Sequence, residues 1–209
     1  SLRDFAKENI FDILGMQYTD YLPTIQQQDG KWINTVACPW MDRIAPTEKQ
    51  KDGSVLCGQV HDPLARILNG GISGNAGIFS NANDIGILAA ALLNGGEYNG
   101  HRILSPLGVK TMCTVPRELT AFGRTPGWDI FSPYASNKGD LFSPNTFGHT
   151  GYTGTSIIID PDNDTAVILL VNAVHPEDRH SIVRLRSLVA NAVAASICPP
   201  AQVYTCLLY

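Results

Sequence analysis

Three glycines and three threonines fall within nine consecutive residues, Gly148-His149-Thr150-Gly151-Tyr152-Thr153-Gly154-Thr155-Ser156, and this stretch constrains the fold more than any other. Glycine weakens a strand, and it is found there where a ligand or another backbone comes close or where a sheet bends. The residues that follow are β-branched and apolar up to Asp160. Pro161-Asp162-Asn163-Asp164 then reads as a turn, and Thr165–Val171 as a buried strand. Residues 153–160 and 165–171 should therefore pair as a hairpin, with the glycine-rich segment at its entrance. Two readings of that entrance stand side by side. A small-residue strand edge lets a substrate acyl group lie along it, with a main-chain N–H free to point at a developing oxyanion. Alternatively, the glycines only let a strand bend at a sheet corner.

The rest of the chain supplies helices and one long irregular region. Residues 2–14 carry Leu2, Phe5, Ile10, Ile13 and Leu14 among charged residues, an amphipathic helix stopped by Gly15. Residues 17–75 are rich in Gly, Pro, Asp and Gln, and so long a loop in a compact domain suggests an excursion over a cleft. The clearest helix is 80–94, with Ser80 as N-cap, Asp84 near the first turn and Asn94-Gly95-Gly96 as its end. Ser105-Pro106 predicts a further helix to about Thr114, with serine as N-cap and proline in the first turn. Gly127–Phe131 reads as a short aromatic strand. A last amphipathic helix is expected over 177–197, with Ile182, Val183, Leu185, Leu188, Val189 and Val193 on its apolar face, stopped by Cys198-Pro199-Pro200.

Composition excludes several classes of function. The chain has 209 residues, 44% hydrophobic and 16% charged, enough to bury a core in one domain. A net charge of −4 and no basic stripe leave nucleic-acid binding without an electrostatic footprint. No stretch approaches the roughly 18 apolar residues of a membrane span. Cys38, Cys57, Cys113, Cys198 and Cys206 are odd in number and form no CxxC pair, so mostly free or buried thiols are expected, with no cofactor or metal implied. The first residues show no start methionine, charged region or apolar leader and read as a helix already under way, so the beginning of the chain is uninformative about targeting.

Other candidate residues carry weaker signals. His175, Asp178 and His180 are potential ligands, but Pro176 separates them and their spacing matches no established zinc pattern. His61-Asp62 are adjacent on a loop, where neighbours seldom face each other; a loop-anchoring role or a place on a cleft rim fits better. Asp129 and Asp140 could be paired carboxylates, although the sequence sets no distance between them. Trp32, Trp40 and Trp128 read as packing residues.

Gly148-His149-Thr150-Gly151, followed by Tyr152-Thr153-Gly154-Thr155-Ser156, an apolar strand and Asp160-Pro161, resembles the Lys/His-Thr-Gly strand of serine β-lactamases, penicillin-binding proteins and related esterases. The likeness extends in order through Ile10-Phe11, Leu14-Gly15-Met16, Arg43–Glu48, Gly58–Pro63, Gly74–Ser80, Leu92–Gly96, Gly127-Trp128-Asp129 and Val171-Asn172. It implies an α+β fold, an antiparallel sheet with flanking helices that is incomplete at the N-terminus. Residues 1–145 would be the helix-and-loop region, 146–197 the sheet strands and C-terminal helix of the same domain, and 198–209 a tail. It also implies acyl-enzyme chemistry on a small-molecule or peptide-like ester or amide, in a periplasmic or secreted setting. His149, Thr150 and Gly151 would line the substrate cleft, and the Tyr152 N–H would form half of the oxyanion hole.

Three departures qualify the resemblance. Ser-x-x-Lys, which carries the family's nucleophile, occurs nowhere in the chain, and neither does Tyr-x-Asn. Both elements precede the matched region in the family, so an N-terminal segment is expected to be missing or fused elsewhere, and the chain alone is expected to be inactive. His149 stands where lysine is more familiar. An imidazole with an ordinary pKa of about 6.5 is mostly neutral at pH 7, which argues against a substrate carboxylate and leaves neutral esters or amides open. The competing reading is a non-catalytic binding module or accessory domain of a larger protein. A chain lacking the early strands should also expose an unpaired sheet edge and apolar surface, and so fold poorly alone or associate.

Overall fold

A computed structural model describes residues 1–178 and 181–197 of the protein. The first helical segment runs through α1 (Leu2–Ala6), a π-helical turn (Lys7–Phe11) and α2 (Asp12–Leu14), and ends at Gly15 with φ of 70°. The wider π turn places Ala6 and Phe11, five residues apart, in one cluster with Leu14, while Leu2 and Phe5 of the expected apolar face stay exposed. The long loop region is mostly irregular, as its composition suggests, yet it holds short pairings that periodicity did not reveal. β1 (Asp20–Tyr21) pairs with β4 (Ile78–Phe79), and β2 (Thr24–Gln26) with β3 (Trp32–Asn34). Between them lies α3 (Pro63–Ile67), capped by Asp62, whose Oδ1 accepts from the Ala65 N–H at 2.7 Å.

α4 (Ala82–Leu93) is the strong helix that the sequence shows, capped one residue later than expected. Asn81 Oδ1 accepts from the Asp84 N–H at 2.8 Å, whereas the Ser80 hydroxyl pairs with that of Thr19. The Asp84 carboxylate is buried and accepts from the Tyr18 N–H and the Thr19 hydroxyl, tying α4 to the segment that follows α2. A small hairpin of β5 (Glu97–Tyr98) and β6 (His101–Arg102) leads to α5 (Pro106–Cys113), whose Ser105 cap accepts from the Gly108 N–H at 3.0 Å.

The main sheet is β7 (Phe147–Thr150), β8 (Ser156–Asp160) and β9 (Thr165–Leu169), antiparallel in that order. The hairpin expected from the sequence is β8–β9, with Asp160 opposite Thr165. Residues 153–155 turn instead of extending, so β8 begins at Ser156. The strand expected over 127–131 is reduced to single-residue bridges in which Asp129 pairs with Arg124 on one side and Gly148 on the other. The last helix, α6 (Val183–Ser196), starts later than expected; residues 177–178 are not helical, while His180, Cys198, Cys206 and the 198–209 tail lie outside the described residues.

Alternation along the strands sorts the core into layers. Phe147, Ile157, Ile159 and Ala166 face α4 and α5, packing on Ala89, Leu92 and Val109. Ile158 and Val167 face the other way onto Val189, Ala190, Val193 and Ala194 of α6. β8 is thus covered on both faces. It ends at Asp160, a fully buried carboxylate that accepts from the Ser143 N–H and hydroxyl, the Asp162 N–H and the Asn163 amide, at 2.6–3.0 Å. Burial pushes its pKa up, but these donors outweigh burial and hold it below the ordinary aspartate value.

A carboxyl depressed in the folded state stabilises the fold above its unfolded pKa, and that contribution is lost as pH falls through the folded value. Asp160→Asn should lower unfolding free energy at pH 7 by about 1–3 kcal/mol. Its urea midpoint should also fall less than that of the wild type between about pH 5 and pH 2. Parallel pH profiles for the two proteins would show that Asp160 does not carry the linkage.

Candidate active-site wall

β7 has one free edge, and its main chain decides what that edge offers. Gly148 exchanges both backbone hydrogen bonds with Asp129, at 2.8 and 3.0 Å, so its N–H and C=O point away from β8. By alternation those of Thr150 point the same way, beyond the end of the Asp129 bridge. Gly151 turns back, donating its N–H to the Thr155 carbonyl at 2.8 Å. Tyr152 then follows on the free side, and among the described residues no acceptor takes up its N–H. The backbone itself requires glycine at 148, whereas at 151 only a side-chain hydroxyl stands in the way. A Cβ at position 148 would lie 2.4 Å from the Ile157 carbonyl oxygen, and one at 151 would lie 2.3 Å from the Thr155 hydroxyl.

The four residues singled out in sequence thus lie in one run, with distinct surroundings. The Thr150 side chain is half-buried, and the His149 ring is exposed. The Tyr152 ring stands out from the surface, stacked on His61 with centroids 5.7 Å apart. Its phenol donates to the Asp178 carboxylate. That hydrogen bond and the adjacent negative charge push the phenol pKa above its ordinary value. His61 therefore sits on the rim of this wall, while its neighbour Asp62 only caps α3.

Segments distant in sequence complete the rim. The Asn172 amide donates to the Pro46 carbonyl, His175 Nδ1 donates to the Thr47 carbonyl at 2.7 Å, and the Lys49 N–H donates to the Pro176 carbonyl at 2.9 Å. His175 and Asp178 are thereby engaged separately, one with backbone and one with Tyr152. Asp129 and Asp140 are not paired either. Asp129 accepts from Arg124 and Ser132, and Asp140 accepts from Asn191. Cys38, Cys57 and Cys113 are free thiols, and burial pushes Cys113 up to about 11, far from a reactive thiolate.

Sequence reasoning missed two arginines. Arg186 of α6 is 7% exposed and donates through one terminal nitrogen to the carbonyls of Gly151, at 2.9 Å, and Thr155, at 3.0 Å. It thus braces both ends of the turn that presents the Tyr152 N–H. Burial lowers its pKa. The helix face toward the sheet is Arg186, Val189, Ala190, Val193, Ala194 and Ile197. Val183, Leu185 and Leu188, read from periodicity as its apolar face, are exposed. An arginine at the head of an otherwise apolar i, i+3, i+4, i+7 stripe is the signal that could have found it. The second is Arg124, whose Nε lies 2.9 Å from Asp129 Oδ1 and whose terminal nitrogen lies 3.1 Å from His149 Nε2.

A three-layer α+β arrangement with this glycine-rich edge strand defines the β-lactamase/transpeptidase-like class. The chain belongs to the β-lactamase family, whose model matches residues 1–191. It is 35% identical over 185 residues to a protein of Escherichia coli K12 named "Putative D-alanyl-D-alanine carboxypeptidase", and 40% identical to one of the same name from Salmonella agona. Each match covers 82% of this chain and 40% of the relative, so the chain spans about two-fifths of the length of these proteins. The fold is shared with a β-lactamase from Mycobacterium bovis (TM-score 0.56, 19% identity, 92% of this chain and 55% of that one). It is also shared with simvastatin synthase from Aspergillus terreus (TM-score 0.58, 16% identity, 92% and 50%).

Replacing Arg186 by methionine keeps the length of the side chain and removes the charged donor from the Gly151 and Thr155 carbonyls, which keep only the backbone hydrogen bonds of the turn itself. Stability in urea should fall by about 2–4 kcal/mol, and amide exchange over 151–155 should accelerate. Unchanged exchange there would mean that α6 does not brace the turn.

Proposed function

We propose that this chain forms the substrate-facing wall of a serine acyl hydrolase acting on a peptide-like or small-molecule ester or amide. The observation that carries the reading is the untaken N–H of Tyr152, beyond the end of β7 on its free edge and held between two braced carbonyls. A fixed donor of this kind needs no reorganisation when a carbonyl oxygen becomes negative during nucleophilic attack. Thr150 and Gly151 leave the approach to that edge open, and the names of the full-length relatives point to peptide substrates.

The nucleophile comes from outside these residues, because no Ser-x-x-Lys and no Tyr-x-Asn occur among them. The serine oxygen attacks the scissile carbonyl, and the oxyanion that forms accepts from the Tyr152 N–H. Collapse expels the alcohol or amine with a proton and leaves an acyl-enzyme, which water then hydrolyses. Two features are consistent with a seat for such a segment. Among the described residues, β9 has no partner on its outer edge. Leu170 at its end, and Val183, Leu185 and Leu188 on α6, are exposed apolar side chains.

The test is intact-mass analysis after treatment with a fluorophosphonate or a penicillin. The 209-residue chain alone should gain no adduct. A longer product, extended upstream of Ser1 by a segment bearing Ser-x-x-Lys and Tyr-x-Asn, should gain one adduct per molecule. A stoichiometric adduct on the chain alone would overturn the division of roles. If no upstream coding segment carries the two motifs, the non-catalytic binding reading takes its place.

A further inference from the structure

The apolar layer between the sheet and helices α4 and α5 does not close on one side. Protein interiors pack about as densely as organic crystals, and voids much larger than a water molecule are few. Here a groove of about 780 Å³ opens into the layer, a volume within the range of small-molecule sites. Leu92, Val109, Ile130 and Phe147 belong to the buried core of that layer and also line the groove, together with the half-buried Cys113. Phe131 lines it too and is 56% exposed, so the apolar surface continues out to solvent. Two lining residues carry charge, and they stand on different elements. Asp162 lies in the turn between β8 and β9, where both its carboxylate oxygens accept from the Asn145 amide, at 3.2 and 3.0 Å. Lys110 of α5 is exposed, and its ammonium has no hydrogen-bond or ion-pair partner among the described residues. The groove therefore combines an apolar bed with one unengaged cation at its margin. The Asp162 carboxylate disfavours an anion on the other element and directs a negative group to α5.

We propose that this groove is a second binding site, which takes a single-chain anionic amphiphile such as a medium-chain fatty acid, its alkyl chain on the apolar bed and its carboxylate on Lys110. Burial of the chain against Leu92, Val109, Ile130 and Phe147 supplies a driving force with no directional demand. One charge-assisted hydrogen bond at the margin then fixes which end of the molecule stays at the mouth. A neutral amphiphile of the same length gains the first contribution and not the second. Of β7, only Phe147 reaches the groove, at the opposite end of the strand from the run that leads to Tyr152. The site is thus distinct from the proposed substrate wall and does not depend on acyl-enzyme chemistry.

Cys113 gives the groove its own reporter, and exposed Cys57, which does not line it, gives an internal control. In the 209-residue chain, alkylation of Cys113 by iodoacetamide at about pH 9 should slow saturably as decanoate is added, while alkylation of Cys57 stays unchanged, both followed by peptide mass mapping. Half-protection by decanoate should need about tenfold less ligand than half-protection by decanol. Lys110→Gln should erase that difference and leave protection by decanol unchanged, a result that a misfolded variant could not give. An unchanged rate at Cys113, equal slowing at Cys57, equal potency of acid and alcohol, a preference that survives in Lys110→Gln, or loss of decanol protection in that variant would each overturn the assignment.

Discussion

The buried guanidinium of Arg186 is the contact on which the presentation of the site depends. One terminal nitrogen reaches across from α6 to the Gly151 and Thr155 carbonyls, which lie at either end of a turn rich in glycine and threonine. Such a turn has little side-chain packing of its own to hold it. Burying a charge is costly unless it is hydrogen-bonded, and here the cost is offset by two bonds to backbone oxygens, each of which also accepts from a glycine N–H of the same turn. The same contact docks the start of α6 on the sheet. The packing of Val189, Ala190 and Val193 against Ile158 and Val167 and the geometry of the Tyr152 N–H are therefore one structural problem with one solution.

A second polar centre works at the opposite end of the central strand. Asp160 closes β8 with four donors, fixing both the turn into β9 and the loop that returns to β7. Between these two anchors the strands are joined by their backbone ladder and covered by apolar layers, and Gly148 exchanges backbone hydrogen bonds with Asp129 along the free edge of β7. Division of labour follows from the chemistry. Apolar contacts are non-directional and hold layers together. Charged groups with several directional bonds set where turns and edges go.

At the site, the replacement of the familiar lysine by His149 does not empty the wall of positive charge. A lysine at that strand position would carry both charge and hydrogen bond in one side chain. In this chain the two roles are split between an imidazole in the strand and a guanidinium from the neighbouring loop, steadied by a buried aspartate. The His149 ring nitrogens meet the Thr150 carbonyl and the Arg124 guanidinium. The step from a neutral imidazole to an uncharged site does not follow, because charge at a site is summed over every element that reaches it.

By itself the sequence determined the elements whose signals are local. The β8–β9 hairpin is legible from its β-branched runs and the Pro161–Asp164 turn, and α4 and α5 from their caps and apolar faces. The family and the importance of Gly148–Tyr152 are legible as well, since small residues at fixed spacing leave a mark that needs no partner to be seen. Only the tertiary structure decided which face of α6 is buried, because Arg186 rather than Leu185 or Leu188 finds its partners on the sheet. It likewise reduced the expected strand at 127–131 to bridges, and brought Arg124 to His149, Asp178 to Tyr152 and Thr47 to His175. Those pairs are separated by tens of residues in the chain. Their energies depend on distances that exist only after the layers have packed, and no local pattern of residues encodes them.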